Sequence, residues 1–131
     1  MSRFVIDVGV VLHLARENIA VGKDHTLVAP SLIRSQVLST LHEDVQRGDL
    51  SEEEGLALNA RFAKMKIRLL GDAVLRRRAW AIASELGWRS TYQAEYVALT
   101  QLQADAFITL DKSLAKQVSH LVTIATIDDL R

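Results

Sequence analysis

Short apolar runs alternate with longer stretches at helical spacing along the 131 residues. Phe4-Val5-Ile6 is apolar and stops at Asp7; Val10, Val11, Leu12 and Leu14 behind it fit a first helix. Thr26 to Ala29 reads either as a short strand or as the lead into Pro30. Pro30-Ser31 opens a helix carrying Leu32, Ile33, Val37, Leu38, Leu41 and Val45, with Gly48 as its expected stop. Ser51 and Glu54 form a capping box, in which the serine hydroxyl takes the amide three residues on and the glutamate reaches back. The helix behind it holds Leu56, Leu58, Phe62 and Met65. Ile67 to Leu70 reads as a strand. Asp72 caps a helix that runs through Val74, Leu75, Ala79, Ile82, Ala83 and Leu86 to a stop at Gly87. A helix from about Thr91 is expected to bury Tyr92, Tyr96, Leu99 and Leu102. Ala106 to Leu110 reads as a strand ending at Asp111, followed by a short helix around Leu114 and a last strand from Leu121 to Ala125.

Strands separated by helices predict an α/β fold with a central, mostly parallel sheet and helices on both faces. One proline, six glycines and no low-complexity tract leave no place for a linker, so residues 1–131 are expected to form one domain. Composition narrows the function. Sixteen basic and sixteen acidic residues give zero formal net charge, which withholds the bulk attraction to nucleic acid that a basic chain would show. A local patch or a metal can still supply that attraction. The absence of cysteine excludes disulfides, zinc-thiolate sites and thiol catalysis. No apolar run approaches the ~20 residues of a membrane span, and the acid at position 7 interrupts any leader-like stretch. A cytoplasmic protein without membrane contact is the expectation.

In open parallel sheets, ligands bind outside the carboxyl ends of the strands. Asp7 and Asp111 each follow an apolar strand. Two carboxylates at such an edge repel unless a cation lies between them, which points to a hard divalent ion. The plainer alternative is that each caps the next helix, and spacing alone does not separate the two.

Four ordered blocks add a resemblance. They are Phe4-Val5-Ile6-Asp7-Val8-Gly9-Val10-Val11, Pro30-Ser31-Leu32-Ile33-Arg34-Ser35-Gln36-Val37-Leu38, Thr91-Tyr92-Gln93-Ala94-Glu95-Tyr96-Val97-Ala98-Leu99 and Phe107-Ile108-Thr109-Leu110-Asp111-Lys112-Ser113-Leu114-Ala115. Together they resemble the signature blocks of PIN-domain proteins, and within that family the VapC-type toxins of bacterial toxin–antitoxin pairs. The resemblance spans essentially the whole chain. It implies a metal-dependent endoribonuclease with an acidic cluster, Mg²⁺ or Mn²⁺ as cofactor, RNA as substrate, a small VapB-like antitoxin as partner, and a homodimer. Asp7 matches the first acid of the pattern and Asp111 the last, as catalytic and metal-binding positions. The second acid, normally a glutamate, falls on Gln36, and the third, normally an aspartate, on Gln93. Gly9 stands where Ser or Thr is common.

Replacing two of four acids by amides halves the formal charge of such a cluster. Gln offers a carbonyl oxygen but cannot act as a general base. Two unit charges ~4 Å apart interact by about 4 kcal/mol at an intermediate dielectric, so each missing acid weakens a metal substantially. The resemblance therefore carries two readings: a ribonuclease of weakened activity, or a pseudo-enzyme that binds an antitoxin or RNA without cutting. Glu95 lies about 200° round the helix from Gln93 and is expected to point elsewhere. Glu43 lies two turns beyond Gln36, and Asp105 precedes its strand, at the wrong end of the sheet. None restores the cluster.

The remaining candidates have plainer readings. Arg76-Arg77-Arg78 spreads round a helix as a solvated face rather than an RNA patch, while Arg34 and Lys112 are better placed to meet phosphate. His13 reads as an ordinary helix residue, and Trp80 and Trp88 as core. In the family, the segment from Gln46 to Arg68 forms a clip for pairing and antitoxin binding, which would leave Leu56, Phe62 and Met65 partly exposed; intramolecular core is the alternative. A phosphotransfer domain with Asp7 as acceptor would need a lysine nearby and a different strand order.

Overall fold

The computed structural model describes residues 2–131. Five strands, β1 (Ser2–Ile6), β2 (His25–Pro30), β3 (Ile67–Leu70), β4 (Ala106–Ile108) and β5 (Ile124–Ala125), alternate with six helices. These are α1 (Val8–Glu17), α2 (Ile33–Gln46), α3 (Glu52–Lys64), α4 (Ala73–Leu86), α5 (Tyr92–Gln103) and α6 (Lys112–Val118), and a 3₁₀ turn follows at Ile127–Leu130. The sheet order is β3-β2-β1-β4-β5 and every pairing is parallel. That order differs from the 2-1-3-4-5 order of the flavodoxin- and CheY-like phosphotransfer architecture.

The topology fixes where a ligand sits. From β1 the chain builds outward through β2 to β3, then crosses back to β4 and out to β5. Parallel crossovers are right-handed, so reversing direction moves the helices to the other face: α1, α2 and α3 on one side, α4, α5 and α6 on the other. In agreement, α1, α2 and α3 pack on one another, and α4 packs on α5. The reversal falls between β1 and β4, and a crevice opens there at the carboxyl edge. Val5 pairs with Val28 on one side and Phe107 on the other, and all three are buried. The strands are short and apolar throughout because both faces are covered.

Local chemistry explains the helix ends. Asp7, Asp72 and Asp111 each accept an amide three residues on, at Val10, Leu75 and Leu114. The Ser51–Glu54 capping box is present in both directions. Gly87 closes α4 at φ 70°, a left-handed conformation that glycine adopts without steric penalty. Gly55 serves a different need: a Cβ there would lie 2.8 Å from Val45 Cγ2, so the close approach of α3 to α2 requires glycine.

Several expectations need correction. Pro30 belongs to β2 rather than to the following helix, which settles 26–29 as strand. β4 stops at Ile108, because its partners end there: Ile6 and Ala125 both pair with Ile108. Leu110 is therefore exposed rather than a strand residue. The last strand is only Ile124–Ala125. Tyr92, expected in the core, is 59% exposed, and Trp80 is 71% exposed. Trp88 is half-buried against the core and donates through Nε1 to Gln117 Oε1 at 3.2 Å. In the 46–68 segment Leu58 and Phe62 are core, Met65 is half-buried, and Leu56 is 63% exposed.

Candidate functional site

A cleft of about 390 Å³ opens at the reversal point. Asp7, Val8 and Gly9 form its floor at the start of α1; Gln36, Ser39, Thr40 and Glu43 line the α2 wall; Gln93 and Tyr96 line the α5 wall. Asp7 lies here because β1 ends at Ile6 and its side chain must turn back to cap α1. α5 runs into β4 at its carboxyl end, which leaves its first turn, with Gln93, at the same edge as Asp7. Phe107 and Leu114 close the apolar back wall.

Thr109 joins the two acids. Its hydroxyl donates to Asp7 Oδ2 at 2.5 Å and accepts the Asp111 amide at 3.1 Å. Asp7 Oδ1 accepts from the Val10 amide at 3.1 Å, and Asp111 Oδ1 from the Leu114 amide at 3.0 Å. Burial pushes the Asp7 carboxyl above its ordinary range, and the charge of Asp111 adds to that; the bonds from Thr109 and Val10 act in the opposite direction. The cap reading of this pair is what the structure shows, since each aspartate caps its helix. Asp111 stands at the exposed rim rather than in the wall of the cleft.

The amides are in place as well. Tyr96 Oη donates to Gln36 Oε1 at 2.5 Å. Burial, reinforced by the charges of Asp7 and Glu95, pushes the Tyr96 phenol upward and keeps it a donor. Gln93 is exposed at the opposite wall. Glu95 does not line the cleft; its carboxyl is raised by burial and partly offset by Arg76. Asp105 caps nothing here and instead accepts the Arg3 amide at 2.7 Å at the far edge of the sheet. Arg34 and Lys112 are exposed, and neither lines the cleft. His13 is half-buried on α1 and also outside the lining.

Glu43 lies on the same face of α2 as Gln36, two turns further along, as its spacing implies. Glu43 lines the cleft and accepts from Ser39 Oγ at 3.0 Å. Gln36, Ser39, Thr40 and Glu43 are spaced i, i+3, i+4, i+7, so they form one polar stripe facing the cleft. The cleft runs along α2 for those two turns, yet among the described residues Glu43 joins no group of three acids that could hold a metal. Thr109 was missed, although a hydroxyl between two acids at a strand end is a readable signal.

The donor set fits a divalent ion only in part. Two carboxylates that repel one another suit a cation between them. Among the described residues no group of three His, Asp or Glu side chains comes together, and the Gln36 carbonyl oxygen is already engaged. Mg²⁺ is often held by one or two carboxylates plus substrate phosphates, so Asp7 and Asp111 fit an ion completed by its substrate. They do not form a cage that holds one alone.

Asp7 separates cap from charge. Asp7→Asn keeps the cap acceptor and removes a buried charge, so it is expected to melt at or above the parent. Asp7→Ala loses the cap and should cost about 1 kcal/mol. Urea melts check this, and an asparagine variant less stable than the alanine one would contradict it.

No family model matches the sequence, and no curated protein matches it. Solved structures do match in fold. A chain from the crystal structure of PAE2754 from Pyrobaculum aerophilum superposes with a TM-score of 0.72 at 16% identity, covering 98% of this chain and 93% of that one. A chain of VapBC2 from Rickettsia felis, solved bound to a DNA fragment from their promoter, gives 0.70 at 8% identity, covering 95% and 98%. A chain of VapBC-1 from nontypeable Haemophilus influenzae gives 0.62 at 12% identity, covering 95% and 97%. The chain thus has a VapC-type PIN-domain fold over nearly its full length.

Proposed function

We propose that this protein is the toxin of a toxin–antitoxin pair: a VapC-like PIN domain whose cleft takes RNA and cleaves it weakly with Mg²⁺ or Mn²⁺. The observation that carries this reading is the pair Asp7 and Asp111, linked through Thr109 at the reversal point of a VapC-type fold. Asp7 and Asp111 would hold the ion, which supplies charge stabilisation and an acidified water. The chain's own part is to orient: Thr109 fixes the Asp7 carboxylate, and the helix caps fix both aspartates.

Partner binding falls on α2 and α3 in this proposal. Leu38, 54% exposed, and Leu56 flank a small apolar groove with Leu41, Val45 and Gly55. An amphipathic segment of a VapB-like antitoxin, or the second copy in a homodimer, would cover it.

The pseudo-enzyme reading has specific observations in its favour: the Gln36 oxygen is occupied by Tyr96, and among the described residues no three acids group so as to hold a metal. Incubating RNA with millimolar Mn²⁺ and either the parent or Asp7→Asn decides between them. Slow cleavage by the parent that disappears in Asp7→Asn is expected. Equal background in both would leave a binding module, not an enzyme.

A further inference from the structure

We infer that Tyr96 is a positioning residue that turns Gln36 into a hydrogen-bond donor facing the cleft, where it meets a phosphate oxygen bound without a divalent cation. The inference deepens the RNA reading above and rests on it for the identity of the natural ligand. The Tyr96 hydroxyl is 2.5 Å from Gln36 Oε1 and finds no other acceptor among the described residues. The phenol must therefore donate, and the amide oxygen must face it. A carboxamide is planar, with its nitrogen on the other branch, so the two N–H groups of Gln36 are turned away from Tyr96. Among the described residues no hydrogen bond runs from them to Asp7, whose bonded donors are the Val10 amide and the Thr109 hydroxyl. Nor is the Gln36 nitrogen a buried atom lacking a partner. It meets the cleft, which Gln36 lines beside Asp7 and Thr40.

The chemical consequence is a reversal of sign. A glutamate here would only accept, and would reach a phosphate through a bridging cation. A glutamine held by its oxygen presents only donors, which suit a phosphate oxygen directly. Its neutrality also adds no further repulsion to that between a phosphodiester and the floor carboxylate.

The test uses the full chain, labelled with ¹⁵N, in EDTA, with inorganic phosphate and a short single-stranded RNA as separate probes. The side-chain amide pair of Gln36 is followed by NMR, and RNA affinity by fluorescence anisotropy. The amide pair of the parent is expected to shift with both probes. Tyr96→Phe frees the amide to turn and should raise the apparent Kd for both by about tenfold, with the melting temperature near that of the parent. Gln36→Glu should weaken RNA binding in EDTA by at least about tenfold. A Gln36 amide that neither probe moves overturns the inference, as does Tyr96→Phe binding as tightly as the parent. RNA binding with an unmoved Gln36 amide would sink the inference and leave the RNA reading standing. Phosphate binding at Gln36 without RNA binding would do the reverse.

Discussion

Gln36→Glu combined with Gln93→Asp is expected to raise Mn²⁺-dependent RNA cleavage by about 100-fold or more. Both positions line the cleft already, on walls facing the Asp7 floor. No backbone movement is needed to bring the new carboxylates to the cleft. A glutamate at 36 would also inherit the Tyr96 hydroxyl as a donor, and hydrogen bonds to charged groups contribute roughly 1.5–3 kcal/mol. The gain has an opposite sign without metal. Two new carboxylates beside Asp7, Asp111 and Glu43 repel them, so the restored protein should melt below the parent in EDTA and recover when Mn²⁺ binds the native state. The parent should shift little with the same Mn²⁺. Measuring cleavage rates and melting temperatures of parent, double variant and double variant with Asp7→Asn checks each step. A double variant that neither binds Mn²⁺ nor cleaves would show that the cleft differs from a metal site by more than two charges.

Phe107→Ala should cause the largest loss of stability, about 3–5 kcal/mol. Phe107 is the largest fully buried side chain, sits on β4 beside the central strand, and also closes the back wall of the cleft. Its ring lies against Tyr96 with centroids 6.4 Å apart. Removing it opens a cavity in the core and takes away the surface that holds Tyr96 in place. Since domains of this size are stable by roughly 5–15 kcal/mol, the loss could consume much of the margin. Denaturant melts measure it directly. Phe107→Leu, which keeps most of the volume, should lose far less, and equal losses for the two variants would point away from packing.

The local parts of this structure were readable from sequence because their causes are local. Asp7, Ser51, Asp72 and Asp111 cap helices through amides three residues away, and a cap needs no knowledge of the rest of the chain. Tyr92 and Trp80 were misplaced because apolar character was taken for burial. On α4 the covered side holds Leu75, Ala79, Ile82 and Ala83, and Trp80 lies off it; Tyr92 is the first residue of α5, ahead of the buried residues that begin at Ala94, so both aromatics meet water. Leu110 was read into β4 because it is apolar, yet a strand ends where its partners end, and those partners are far away in sequence. Asp7, Gln36 and Gln93 line one cleft. Which atom of Gln36 faces the cleft depends on Tyr96, 60 residues further on, and one-dimensional spacing contains no such information.

The central position of β1 has a consequence for the order of synthesis. Phe4 pairs with Ala106, so one flank of β1 waits for a strand made much later. Until β4 arrives, β1, β2 and β3 can assemble with their helices while an apolar edge of β1 remains bare, a surface open to improper pairing. The floor of the cleft exists early, but Thr109, which holds Asp7 in place, follows it by 102 residues. A nascent chain is therefore without a finished cleft until β4 has been made, and the closing step joins segments far apart in the sequence. Such long-range closure is slow compared with helix formation.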